Sequence, residues 1–168
     1  MEIEVLMLKQ DDPSKCTAAK LVKFGLAKRA KRTGQDTLVL DPFAERTLLR
    51  DDAGSVRAVA AIDCSWELAS RAFGRGFAGL PRRLPPLLAG NPVNFSKIGK
   101  LTTAESIAGA LFIMGLDGQA HAILDKFKWG HTFFDLNGDL LRDYSSATTE
   151  KDVSKTAEEY GIVRSAVQ

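Results

Sequence analysis

The sequence predicts an α/β fold in which a mixed-sheet N-terminal lobe, residues 1–90, precedes a mainly helical C-terminal lobe, residues 91–168. Short runs of Ile, Val, Leu and Ala recur in the first part of the chain and end at Asp, Pro or Gly, as buried strands do. All six prolines lie at or before Pro92. The proline-free remainder carries apolar residues at helical spacing, which favours helices there.

Four apolar stretches of the first lobe are predicted to form strands. The first begins at the N-terminus, the third is apolar enough to be central, and the fourth is expected despite Pro85 and Pro86. In chain order they cover residues 1–9, 37–40, 56–62 and 84–89.

Capping residues and glycines predict the helices. Thr17 is expected to N-cap a short helix that places Leu21 and Phe24 on one face and ends at Gly25. Thr102 and Glu105 form a capping box, in which the Thr caps the helix and the Glu bonds back. Further helices are expected up to residue 72 and over residues 119–128, 132–144 and 150–160.

Composition narrows the class of protein. The chain has 168 residues, 45% hydrophobic and 26% charged, with a mean hydropathy of -0.10. No apolar run approaches the ~20 residues of a membrane span, and the acidic residues near Met1 do not resemble a signal peptide. The two cysteines are too few for a disulfide framework or a structural zinc site. We therefore expect a cytoplasmic protein without a metal. A monomer is expected as well.

Charge is distributed unevenly along the chain. Residues 1–100 hold 17 Lys and Arg against 11 Asp and Glu, whereas residues 101–168 hold 6 against 10. A basic first part fits a face that binds a polyanion such as nucleic acid. The alternative is that two solvated faces simply differ in sign.

Asp63 and Trp66 are the most distinctive candidate site residues. Asp63 ends the third predicted strand, and ligands of open α/β sheets bind at the carboxyl ends of strands. A carboxylate there can act as a base or hold a cation, and an indole can stack on a flat ring or face a sulfonium. The alternative is a turn-capping Asp beside a core Trp.

Asn91 and Asn94 flank a Pro-Val pair in a predicted turn. Their amides can read a nucleobase or hold their own backbone, and the backbone role is favoured. Cys16 and Cys64 are interpreted as small buried thiols.

Seven short motifs occur in the order found in a known family. They are Lys15-Cys16-Thr17, Leu40-Asp41-Pro42, Asp63-Cys64-Ser65-Trp66, Arg83-Leu84-Pro85-Pro86-Leu87, Asn91-Pro92-Val93-Asn94-Phe95, Lys126-Phe127-Lys128-Trp129-Gly130 and Phe134-Asp135-Leu136-Asn137. From about residue 9 to residue 144 the chain resembles the small-subunit rRNA aminocarboxypropyltransferases of archaea and eukaryotes.

This resemblance implies a reaction and a fold. Such enzymes transfer the 3-amino-3-carboxypropyl group of S-adenosylmethionine to N3 of a hypermodified pseudouridine or uridine in small-subunit rRNA, and methylthioadenosine remains. The implied fold is similar to SPOUT methyltransferases, with a deep C-terminal trefoil knot. Two rivals stay open: an rRNA methyltransferase that uses the same cofactor, and a non-catalytic assembly factor that binds rRNA.

The resemblance also implies roles for individual residues. Thr17 lies near the amino acid end of the cofactor, and Thr103 holds its carboxylate arm. Ile62 contacts the ribose, and Leu84 and Gly99 contact the adenine. Leu40 and Pro42 line the adenine pocket. Trp66 and Ala69 enclose the methyl group. Asp63 stands where a base would accept the N3 proton; alternatively it balances the sulfonium charge or braces the loop.

Basic residues of the first lobe are predicted to contact rRNA phosphates. Such contacts are salt-sensitive and tolerant of sequence. The predicted set is Lys28, Arg29, Lys31, Arg32, Arg71, Arg75, Arg82 and Arg83.

Overall fold

The computed structural model describes residues 1–8, 16–64, 69–74 and 76–162. Its strands are β1 (Glu2–Met7), β2 (Lys28–Arg29), β3 (Thr37–Leu40), β4 (Ala58–Asp63) and β5 (Leu80–Arg82). Its helices are α1 (Thr17–Lys23), α2 (Ala69–Phe73), α3 (Thr103–Ile113), α4 (Asp117–Leu124), α5 (Gly130–Ser146) and α6 (Glu150–Glu159), and a 3₁₀ helix spans Arg50–Ser55.

The five strands form one sheet in the order β2-β1-β4-β3-β5. Every described pair is parallel, so the α/β class is confirmed while the sheet is parallel rather than mixed. Parallel neighbours need crossover connections, and α1 and the 3₁₀ helix supply two of them. Consequently the carboxyl ends of all five strands meet at one edge.

Both faces of the sheet are covered. Val59 and Ala61 of β4 share one apolar core with residues of α1 and α3, and eight residues of α3 are buried apolar or glycine positions. On the other face, Phe73 of α2 packs with Ile62. This burial explains why β4 is apolar almost throughout instead of alternating. One apolar core contains residues of both predicted lobes. The boundary at residue 90 stays a prediction.

The predicted cap of α1 is wrong by one residue. Cys16, not Thr17, caps α1, because its sulfur accepts a hydrogen bond from Ala19 N at 3.3 Å. Leu21 is buried, whereas Phe24 follows the last residue of the helix and is 45% exposed. The predicted end of the helix is confirmed, since Gly25 has a φ of 71°.

The last strand is also misplaced in the prediction. Residues 84–89 form no strand; the sheet ends at β5, which precedes them. Pro85 and Pro86 lack the N–H groups that a ladder needs, whereas Pro81 is tolerated because β5 is an edge strand. Gly79 leads into β5 with a φ of 110°, and a Cβ there would stand 2.2 Å from the Thr37 carbonyl oxygen, so only glycine fits.

The helices of the second lobe agree with prediction within a few residues. The capping box is confirmed: the Thr102 hydroxyl accepts from Glu105 N at 3.2 Å, and Glu105 bonds back to Thr102 N at 2.7 Å. Gly115 ends α3 with a φ of 81°. Among the described residues, no helix has both the length and the apolar character that a membrane crossing requires.

Candidate functional site

A cleft opens at the carboxyl edge of the sheet, where β3, β4 and β5 end. The volume inside it that the centre of a water molecule can reach is about 120 Å³. Six residues predicted to contact the cofactor line it: Leu40, Pro42, Ile62, Leu84, Gly99 and Thr103. Their proximity follows from the parallel sheet, which brings loops far apart in sequence to one edge.

The cleft contains polar groups to which the sequence analysis assigns no role in the site. Asp41 lines it and accepts a hydrogen bond from Phe43 N at 2.8 Å through Oδ1. Burial raises the pKa of the Asp41 carboxyl above its ordinary value, although the hydrogen bond from Phe43 opposes this. Cys64 and Ser106 also line the cleft. Asp41 is thus a second carboxylate beside the predicted site.

One wall of the cleft is formed at the base of a hairpin over residues 87–99, by Pro85, Pro86, Gly99 and Leu101. Leu88 and Ile98 form an antiparallel bridge, and Gly99 N donates to the Leu87 carbonyl oxygen at 2.8 Å. Gly90 presses against α5, since a Cβ there would lie 2.5 Å from Phe133 N. These contacts fix the two ends of the hairpin, which are the parts that meet the cleft.

The buried carboxylate of Glu105 fastens this hairpin to the start of α3. Glu105 is fully buried, and its Oε1 accepts from the backbone N–H groups of Gly90 at 2.7 Å and Asn91 at 3.0 Å. Its Oε2 accepts from Asn91 Nδ2 at 2.8 Å and from the N–H and hydroxyl of Thr102. These donors are needed because burying a carboxylate without hydrogen-bond partners carries a large free-energy cost.

The same contacts decide the role of Asn91. Its Nδ2 donates to Glu105 Oε2, and its Oδ1 accepts from Asn94 N at 3.0 Å. The favoured interpretation, that Asn91 holds its own backbone, is confirmed. Asn94 is half-buried, and its Oδ1 accepts a long 3.4 Å hydrogen bond from Lys97 Nζ.

Asp63 is held from two sides. Thr103 Oγ1 donates to Asp63 Oδ1 at 3.1 Å, and the Cys16 thiol donates to Asp63 Oδ2 at 3.0 Å. Burial, followed by this hydrogen bond, raises the pKa of the Cys16 thiol to about 11, so the thiol keeps its proton at neutral pH. Both carboxylate oxygens of Asp63 therefore face a donor.

Thr17 and Asp63 approach the cleft without forming its lining. Ile62 and Cys64 line the cleft on either side of Asp63, whose own side chain is directed toward α1 and α3. Thr17 accepts a hydrogen bond from Ala104 N at 3.2 Å, which places it behind the first turn of α3. Thr103 connects these residues to the cleft. Trp66 lies outside the described residues, and so does the side chain of Ala69.

The predicted phosphate-contacting residues separate into exposed and engaged side chains. Arg71 and the run Lys28, Arg29, Lys31 and Arg32 are exposed, and of these Lys28 also forms an exposed ion pair with Glu2 at 3.2 Å. Arg83 is half-buried and donates to the carbonyl oxygens of Ala44 and Glu45. Arg75 lies outside the described residues.

Arg82 does not belong to the predicted phosphate-contacting surface. Its guanidinium is buried against Asp52, with the Nη2–Oδ1 distance at 3.0 Å and both side chains about nine-tenths covered. An arginine held in this way is not an exposed phosphate contact. It instead joins β5 to the 3₁₀ helix, so the prediction of an RNA contact at Arg82 is wrong.

Sequence reasoning missed Asp41, Cys16 and Glu105 as parts of this region. Asp41 and Cys16 belong to the family motifs, so the sequence indicates where they lie. It does not indicate their hydrogen-bond partners, Phe43 N and the Asp63 carboxylate. Glu105 was recognised only as a capping residue. Among the described residues, no cluster of His, Cys, Asp and Glu is suited to hold a metal.

Known protein families match nearly the whole chain. A family model described as the C-terminal part of ribosome biogenesis proteins matches residues 38–161. A second, described as a possible Fer4-like domain in RNase L inhibitor, matches residues 1–36. Cys16 is the one cysteine in that range, so it does not offer the four thiolates of an iron–sulfur cluster.

Two archaeal relatives carry the same description. The 16S rRNA aminocarboxypropyltransferase of Halobacterium salinarum is 44% identical over 95% of this chain and 96% of its own. That of Thermoplasma volcanium is 43% identical over 94% of this chain and 97% of its own. The solved structure of the SAM-dependent rRNA:acp-transferase Tsr3 from Vulcanisaeta distributa is 34% identical, has a TM-score of 0.86, and covers 96% of this chain and 89% of that one.

The Cys16–Asp63 contact predicts a stability change at alkaline pH. The unfolded thiol loses its proton near pH 9 but the folded one near pH 11. Below about pH 9 the thiol is protonated in both states, and the stabilisation from its raised pKa is fully present. The free energy of unfolding should then fall by roughly 2–3 kcal/mol as the pH rises from about 9 to about 11. Denaturant titrations of wild type and Cys16→Ala should show that the variant lacks this part of the decline. Cys64→Ala should retain it, and an equal decline in both variants would contradict the assignment.

Proposed function

The chain belongs to the small-subunit rRNA aminocarboxypropyltransferase family, and we propose that the cleft at the carboxyl edge of its sheet is where this transfer takes place. The protein transfers the aminocarboxypropyl group of S-adenosylmethionine to small-subunit rRNA. The observation that carries the location is that six family-implied contact residues from four chain segments converge on one cleft.

The cleft suits the parts of S-adenosylmethionine. Leu40, Leu84 and Gly99 offer apolar surface and backbone groups to the adenosine. Thr103 stands at the first turn of an eleven-residue helix, whose N-terminal N–H groups favour a carboxylate. The half-buried carboxylates of Asp41 and Asp63 can balance the sulfonium charge. The residues present therefore fit the cofactor.

Geometry decides which carbon is transferred. All three carbons on the sulfonium are electrophilic, and the one aligned with the acceptor reacts. We place the methyl against Trp66 and Ala69, which removes it from attack and leaves the aminocarboxypropyl arm facing the RNA. Trp66 and Ala69 enter here through the family resemblance alone.

Asp63 is proposed as the base that receives the N3 proton of the acceptor. Its two oxygens each accept a hydrogen bond, from Thr103 and Cys16, which orients the carboxylate while leaving lone pairs for a third donor. Its alternatives are a purely electrostatic role toward the sulfonium and a brace between α1 and α3. Asp41 is the competing carboxylate.

The exposed basic run is proposed to contact rRNA phosphates. Lys31 and Arg32 follow β2, which pairs with β1, which in turn pairs with β4. Strand spacing puts β2 about 10 Å from β4, and Lys31 and Arg32 follow β2 at the carboxyl edge of the sheet. Lys28, Arg29 and Arg71 extend this surface, to which Arg75 and Arg83 belong by the sequence prediction.

Several finer statements rest on the sequence analysis and on the resemblance given there. We propose that the acceptor atom is N3 of a hypermodified pseudouridine or uridine. We also propose SPOUT-like threading with a trefoil knot, a monomer, a division near residue 90, and a cytoplasmic location.

Product analysis tests the proposed function. With S-adenosylmethionine and small-subunit rRNA from cells that lack the protein, we expect methylthioadenosine and a nucleoside enlarged by the aminocarboxypropyl group. Mass spectrometry of both products measures this, and large-subunit rRNA serves as the control acceptor. Adenosylhomocysteine would identify the rival methyltransferase. Binding of rRNA without either product would identify the rival assembly factor.

Asp63→Asn should fold and bind cofactor but transfer slowly. The amide keeps shape and hydrogen-bonding capacity while losing basicity, so the single-turnover rate at saturating cofactor should fall by roughly 10²–10⁴-fold and recover partly at higher pH. Asp36→Asn, just before β3 begins and so at the opposite edge of the sheet, is the matched control. A rate within about threefold of wild type would reject the base role. Loss in Asp41→Asn instead would transfer that role to Asp41.

A further inference from the structure

The tip of the hairpin over residues 87–99 exposes apolar side chains. Val93 is 83% exposed and Phe95 is 55% exposed, more than any other large hydrophobic side chain in the described part of the chain. Most hydrophobic residues of such size in this protein are buried in its core. Two such exceptions within three residues of one tip indicate a surface that meets a partner.

The tip is held in place rather than loose. The Glu105 carboxylate binds the backbone N–H groups of Gly90 and Asn91 at its start. At its end, Ser96 N donates to the Ala89 carbonyl oxygen at 2.7 Å. Ser96 also has a φ of 62°, unusual for a residue other than glycine. A ring presented on so fixed a backbone loses little freedom on binding.

The tip is continuous with the cleft wall. Gly99 lines the cleft, and Phe95 precedes it by four residues, so their Cα atoms are at most about 14 Å apart. Lys97 and Lys100 follow the ring, and residues 91–104 contain no acidic residue. A polyanion whose reacting base enters the cleft would therefore meet cations and an exposed ring together.

From these observations, and resting on the proposed function, we propose that Phe95, supported by Val93, stacks on an unpaired nucleobase of small-subunit rRNA beside the acceptor nucleotide. Proteins read RNA mainly at unpaired bases, which stack on aromatic side chains while cations contact the phosphates. The contact would hold the strand so that the acceptor base points into the cleft.

Equilibrium binding to a naked small-subunit rRNA fragment containing the acceptor tests this proposal. Phe95→Ala should weaken binding by roughly 5- to 100-fold, and Phe95→Trp should restore it. Since stacking releases no counterions, the slope of log affinity against log salt should not change. Lys97→Gln should instead lower that slope by up to about one. Calorimetry should find cofactor affinity unchanged in Phe95→Ala.

Tyr160→Ala is the matched control, because Tyr160 is an aromatic side chain 42% exposed at the end of α6. Wild-type transfer activity is measured first, so that a failure of the proposed function is seen separately. Wild-type affinity of Phe95→Ala for naked rRNA would overturn the proposal. So would weaker binding only to the assembled subunit precursor, which would identify a protein contact.

Discussion

The buried carboxylate of Glu105 is the constraint on which the cleft depends. It accepts two hydrogen bonds from the hairpin backbone, one from the Asn91 side chain, and two from Thr102. Removing one partner of a buried charge leaves the other groups unpaired, at a cost of about 1–3 kcal/mol each. The hairpin and the start of α3 are therefore stable together rather than separately, and the positions of Gly99 and Thr103 follow from them.

The second constraint is the parallel sheet. Because its strands end at one edge, Leu40, Ile62 and Leu84 become neighbours although they lie far apart in sequence. Asp63 connects this edge to the helices, through Cys16 before α1 and Thr103 in α3. The two constraints meet at Thr103, which touches Asp63 and follows the capping box that holds the hairpin. An rRNA base at the cleft mouth would thus face two fixed surfaces, the base of the hairpin and the carboxyl edge of the sheet.

The local sequence predicts much of this arrangement. β3, the carboxyl end of β4, the capping box and the glycines that end α1, α3 and α6 all follow from short-range patterns. Partners distant in the chain do not. Arg82 has the charge of an RNA contact, but Asp52, thirty residues earlier, draws it inward. Glu105 reads as a cap, whereas its second role depends on a hairpin fourteen residues before it.

Cofactor affinity of Glu105→Gln is the measurement that tests this account most directly. The amide nitrogen of the variant would face donors, so the hairpin should detach from α3 and the affinity for S-adenosylmethionine, measured by calorimetry, should fall at least about tenfold while the sheet stays folded. Glu150→Gln, at the start of α6, is the control and should bind as wild type does. A folded Glu105→Gln protein with wild-type affinity would contradict the claim that Glu105 holds the cleft wall in place.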